Sequence, residues 1–140
     1  MKPKVYIAGW TGEVEYRNYV WRKYRKFIDI FDPLREVEAK IVDDIVKKTS
    51  EKQEFDDETI KKIVEGDKAA ILNSHIMTAI INRYTAGTTM EILCAWKNQI
   101  PVFMIDPSKK FRNDVWLKYH TTKVFDTVDS CYDYIIGSIG

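Results

Sequence analysis

The chain is poor in the residues that build metal centres and disulfide frameworks. It has two cysteines, Cys94 and Cys131, and two histidines, His75 and His120. The cysteines form no CxxC pair, and none of the four falls at metal-ligand spacing. Two lone thiols within helical patterns are expected to be buried and reduced, and neither a metal nor a cofactor is expected. An excess of one charge is also missing. Lysine and arginine number 22 against 21 acidic residues, a net charge of +1. That balance argues against a nucleic-acid polymer or a membrane surface as partner. The one basic run, "RNYVWRKYRK" (Arg17 to Lys26), carries tyrosines and a tryptophan at helical spacing. It reads as a half-buried helix with a solvated charged face. No apolar run reaches the roughly 20 residues of a membrane span, and no leader pattern precedes the first strand. A cytoplasmic protein is expected.

What remains is an ordinary globular composition, 45% apolar and 31% charged over 140 residues, which fits one domain spanning 1–140. "KVYIAG" (Lys4 to Gly9) is a β-branched and aromatic run closed by glycine, the pattern of a buried first strand. Tyr16, Tyr19, Val20, Tyr24 and Phe27 recur at helical spacing. "IDIFDPL" is a second strand stopped at Pro33, and "REVEAKIVDDIVKK" a surface helix with Val37, Ile41 and Ile45 inward. "TSEKQEFDDE" reads as a charged loop. A helix over "DDETIKKIVEGDKAAILNS" leads to a third strand, His75 to Ile81. A helix from Thr89 to Asn98 leads to a fourth, "IPVFMID". A short helical piece, "RNDVWLKYH", precedes a fifth strand, "KVFDT", and "DSCYDYIIGSIG" closes the chain as a helix. Strands alternating with helices predict an α/β fold, a Rossmann- or flavodoxin-like doubly wound sheet of about five parallel strands. Such sheets bind ligands beyond the carboxyl ends of their strands, which singles out "AGWTGE" and "NRYTAGTTME".

Two carboxylates are out of place. Asp67 falls on the apolar stripe of Ile60, Ile63, Val64 and Ile71, where an unpaired charge costs several kcal/mol. The bland alternative is that Gly66 disturbs the helix and lets Asp67 reach water. Glu91 lies in "TAGTTMEILCAW", three residues after Thr88. That spacing is a capping box, a common helix start, or else it places a reactive carboxylate at the mouth of a site. Two carboxylates across one cleft suit acid–base or nucleophilic work. Tyr6, in the first strand, is a core filler by default, although its phenol can donate to a carboxylate. Gly9 permits a tight turn, and Trp10 offers a flat surface for a base. "AGWTG" lacks both GxGxxG spacing and a P-loop lysine, which argues against a dinucleotide site.

"KVYIAGW", "IVEGDKAAILNSH" and "AGTTMEILCAWKNQIPVFMI", in that order and spacing, resemble the nucleoside 2-deoxyribosyltransferase superfamily, which includes nucleoside 5'-monophosphate N-glycosidases. The resemblance runs from Lys4 to about Trp116. It implies that Glu91, the glutamate of a GTxxE-like segment, is the nucleophile. Asp67, which opens the family's D-x7-D spacing, would assist at the base, and Tyr6 would hold the nucleophilic carboxylate. Gly9, Trp10, Thr85, Gly87 and Thr88 would contact substrate. A neighbouring subunit would complete the site through Arg112 and Asn113 in "FRNDVW", making the protein a homodimer or higher homo-oligomer. The implied ligands are a nucleoside or nucleotide and a free nucleobase.

The chain departs from the family pattern twice. His75 replaces the second aspartate of the D-x7-D spacing. Thr85 replaces an aspartate that holds sugar hydroxyls in the transferases, and relatives acting on monophosphates carry a hydroxyl residue there. Two enzyme readings follow, transfer or cleavage at a (deoxy)nucleoside and hydrolysis of a 5'-monophosphate. A non-catalytic nucleotide sensor on the same fold is the third, with Glu91 a mere helix cap.

Overall fold

The computed structural model describes residues 2–38 and 55–139. In chain order the elements are β1 (Lys4–Gly9), α1 (Val14–Tyr24), β2 (Asp29–Phe31), one wide helical turn (Leu34–Glu38) and α2 (Asp57–Leu72). They continue with β3 (Ile76–Ile80), α3 (Ala86–Lys97), β4 (Val102–Ile105), α4 (Val115–His120), β5 (Lys123–Phe125) and α5 (Val128–Ile139). The five strands pair in parallel in the order β2-β1-β3-β4-β5. The expected doubly wound α/β sheet is therefore found. Past Glu38, the surface helix expected at 35–48 lies outside the described residues, as does the charged loop as far as residue 54.

Because side chains alternate across a strand, the sheet has two different faces. Val5, Ile7 and Ile80 pack with Tyr16, Val20 and Tyr24 of α1 and with Cys131, Tyr132 and Ile135 of α5. On the other face Tyr6, Ala8, Met77 and Ala79 pack with Ile71 of α2, Ile92 and Ala95 of α3, and Leu117 of α4. Tyr6 thus faces the α3 layer, and its neighbours in β1 face α1. Burial of the Cys131 thiol pushes its pKa up to about 12, as a structural cysteine requires.

Several expectations need correction. α1 ends at Tyr24, so Phe27 lies past the helix and is half exposed. Arg17 is not part of a solvated face but is 5% exposed, because it shares the inward side of α1 with Tyr16 and Val20. The α2 stripe is buried only at its carboxyl end. Ile71 is inside, whereas Ile60 and Val64 are almost half exposed. α3 begins three residues before its expected start.

Candidate active site

β1 and β3 are the paired strands from which the chain proceeds in opposite directions across the sheet. Their last partners are Gly9 and Ile80, so the segments starting at Trp10 and Ile81 border one crevice. Gly9 is needed there for space. A Cβ would stand 2.8 Å from the Ile80 Cγ2 atom.

Tyr6 is fully buried, its ring stacked on Phe31 of β2 at 5.8 Å. Its hydroxyl donates a hydrogen bond to Oε2 of Glu91. Glu91, half-buried, is the sixth residue of α3. The capping box expected between Thr88 and Glu91 is absent because the helix starts earlier. Thr85 is the extended residue that caps it, its Oγ1 accepting from the Thr88 N–H at 3.3 Å. The Thr85 hydroxyl donates in turn to Oγ1 of buried Thr88 at 2.7 Å. Glu91 is thereby relieved of capping and is turned onto the sheet. Gly87, second in the helix, borders open space.

Three residues of the loop between β3 and α3 tie it to two neighbouring connections, the one after β1 and the one after β4. Asn82 donates to Oε1 of Glu13 at 2.9 Å. The Arg83 guanidinium carbon lies 3.6 Å from the Trp10 ring centre. Tyr84 donates to Asp114 at 3.1 Å and packs edge-on against Phe111. Hydrogen bonds from the Leu117 N–H, and then from Tyr84, hold the Asp114 carboxyl below the usual range. The Trp10 indole presses on Gly12, where a Cβ would come within 2.3 Å of the ring.

The other residues singled out in the sequence lie on several different elements. Asp67 is half-buried on α2, the helix packed beside α3. His75 belongs to the opposite end of the sheet. Its Nδ1 accepts the Lys4 N–H at 2.9 Å and its own N–H bonds the Lys4 carbonyl, so it joins the starts of β1 and β3. Arg112 is engaged within its own chain. It bonds Asp106 through Nε at 3.1 Å, the Asp106 carbonyl at 2.9 Å and Asp126 at 2.7 Å. Asn113 beside it is exposed.

Three buried charged residues escaped the sequence. Asp106, fully buried at the end of β4, accepts the Phe111 and Arg112 N–H groups and organises that loop. Arg17 and Asp32 form a buried ion pair of 2.6 Å, and Arg17 Nη2 donates to the Gly9 carbonyl at 2.8 Å. This pair holds the ends of β1 and β2 together beneath the Trp10 turn. Its signal was present in the spacing of Arg17 with Val20 and in an aspartate directly after a strand.

The class is thus an α/β domain of flavodoxin-like strand order with a tyrosine–glutamate pair at its switch point. Among solved structures, a conserved protein from Enterococcus faecalis V583 superimposes over 100% of both chains, with TM-score 0.70 and 18% identity. A 2-deoxyribosyltransferase from Bacillus psychrosaccharolyticus has TM-score 0.69 and 17% identity over 94% of this chain and 91% of that one. A CMP N-glycosidase from Clostridium botulinum superimposes more loosely, with TM-score 0.48 and 10% identity over 94% and 96%. The first two likenesses establish a shared fold. No family model and no curated protein matches the sequence.

Proposed function

We propose that the protein breaks the N-glycosidic bond of a (deoxy)nucleoside or its 5'-monophosphate through a covalent glycosyl–Glu91 intermediate. The observation that carries this reading is the hydrogen bond from buried Tyr6 to the Glu91 carboxylate. A carboxylate needed only as a helix cap would face its own backbone. This one is aimed by a phenol anchored in the central sheet.

In the proposed reaction a Glu91 oxygen attacks the anomeric carbon as the carbon–nitrogen bond to the base breaks. The transition state resembles an oxocarbenium ion, which the carboxylate stabilises before trapping it as an ester. The departing base takes a proton from Asp67. Attack on the ester by a second base completes transfer, and attack by water completes hydrolysis. A second copy of the chain would contribute through Asn113.

The test is incubation with 2'-deoxynucleosides plus a free base, then with the 5'-monophosphates, following released or exchanged base by chromatography. Glu91→Gln is expected to slow base release by roughly a thousandfold or more, about 4 kcal/mol of barrier. Denatured wild type should carry the added mass of the sugar. Turnover of Glu91→Gln within a few fold of wild type would overturn the assignment. Tight nucleotide binding without any base release would leave a sensor on this fold.

A further inference from the structure

The reaction above makes no use of Arg83, although its placement is specific. Gly9 and Ile80 are paired at the carboxyl ends of β1 and β3, and Trp10 and Arg83 follow them by one and three residues. At 3.6 Å from the Trp10 ring centre the guanidinium is in contact with the π face, well inside the roughly 6 Å reach of a cation–π pair. Among the described residues no carboxylate forms an ion pair with it. The two acids that touch this loop, Glu13 and Asp114, are bonded instead by Asn82 and Tyr84. An exposed positive charge is therefore seated beside the switch point with no ion-pair partner among the described residues.

We propose that Arg83, stacked on Trp10, is the group by which the site selects a 5'-phosphorylated substrate over the uncharged nucleoside. The inference rests on the glycosidic reading above and specifies its substrate class. An aromatic seat suits this task better than a carboxylate would. Stacking occupies a face of the guanidinium and leaves the N–H groups in its plane for a phosphate, which they match two at a time. A carboxylate partner would have used those same donors and cancelled the charge.

The alternatives on the page are weaker. The Thr85 hydroxyl, expected from the sequence to face a phosphate, both accepts from and donates to Thr88 within the helix cap. A net charge of +1 supplies no general field that would draw an anion to the crevice. Selection by charge then falls to Arg83, the cation of the β3–α3 loop, which is already seated on Trp10.

The test compares kcat/KM for the four 2'-deoxynucleoside 5'-monophosphates and the matching nucleosides in wild type, Arg83→Gln and Arg83→Lys. Wild type is expected to favour the monophosphate. In Arg83→Gln that preference should shrink by roughly tenfold to a hundredfold, the scale of a charge-assisted contact, mostly through KM. Arg83→Lys, which keeps the charge but not the planar fork, should fall between. An unchanged ratio, or a wild type that favours the nucleoside, overturns the inference while leaving the glycosidic reading intact. If wild type releases base from neither substrate, the glycosidic reading fails, and calorimetric titration with the same compounds decides on Arg83 separately. Phosphate-dependent affinity lost in Arg83→Gln supports the inference, and equal affinities overturn it.

Discussion

The Tyr6 hydroxyl donates to the Glu91 carboxylate, joining the third residue of β1 to the sixth of α3. The pairing follows from strand parity. Val5 and Ile7 face α1 and α5, and only the alternate positions Tyr6 and Ala8 face the helix that carries Glu91. Tyr6→Phe keeps the ring and its stack on Phe31 and removes a single oxygen. Base release is expected to fall by roughly tenfold to a hundredfold, the worth of a hydrogen bond to a charged group, with the thermal midpoint little changed. A large drop in midpoint with activity retained would make the contact structural.

Thr85 separates helix capping from substrate charge. Replacing the cap by alanine should cost about 1 kcal/mol, whereas Thr85→Asp retains a good cap and complements the helix dipole. Thr85→Asp should therefore unfold at a urea midpoint close to wild type. Its carboxylate should still repel a 5'-phosphate and lower monophosphate use more than nucleoside use. Equal loss of both activities would place the phosphate elsewhere.

Much of this was legible in the sequence, and the misses have physical causes. The first, third and fourth strands announce themselves because strands buried on both faces need uninterrupted apolar runs. Glu91 and Tyr6, which the structure joins by a hydrogen bond, were both visible in the sequence as polar groups beside apolar runs. The start of α3 was not, since Gly87, Thr88 and Thr89 are poor helix formers and only the cap at Thr85 compensates for them. Arg17 looked solvated because the basic run around it masked its inward spacing with Val20. Ile60 and Val64 show the opposite failure. A helical stripe reports amphipathicity, and nothing in it tells how far along the helix the core extends.

The Arg17–Asp32 pair should be costly to break from one side. Asp32→Ala leaves a buried guanidinium with the Gly9 carbonyl as its remaining partner, and a loss of about 3–5 kcal/mol is expected. Replacing both residues with apolar ones of similar volume should recover most of it. A double-mutant cycle in urea measures the coupling, and additive losses would refute it.

Asp129 gives a pH signature. Hydrogen bonds from Tyr24, then Tyr19 and Lys23, lower its pKa, while burial raises that of Tyr24 and keeps it protonated as donor. A carboxyl lowered on folding stabilises the native state above its unfolded pKa of about 3.9 and loses that contribution as pH falls through the folded value. Wild type should lose thermal stability more steeply than Asp129→Asn below about pH 4. Parallel acid limbs would show that solvent screens the contact away. The carboxylate is 44% exposed, so the effect should be modest.

Gly12 carries no chemistry, yet it decides where the Trp10 ring can rest. Its backbone is not in the left-handed region, so nothing forbids alanine there except the indole itself, 2.3 Å from where a Cβ would stand. A lineage that lost this glycine would keep its sheet, its Tyr6–Glu91 pair and its helix cap, while Trp10 and the guanidinium seated on it would be displaced. The placement of the Arg83 charge can therefore drift through a position that carries no functional group of its own. Gly12→Ala belongs beside Arg83→Gln in testing whether the Trp10–Arg83 stack sets the proposed preference for a 5'-phosphate.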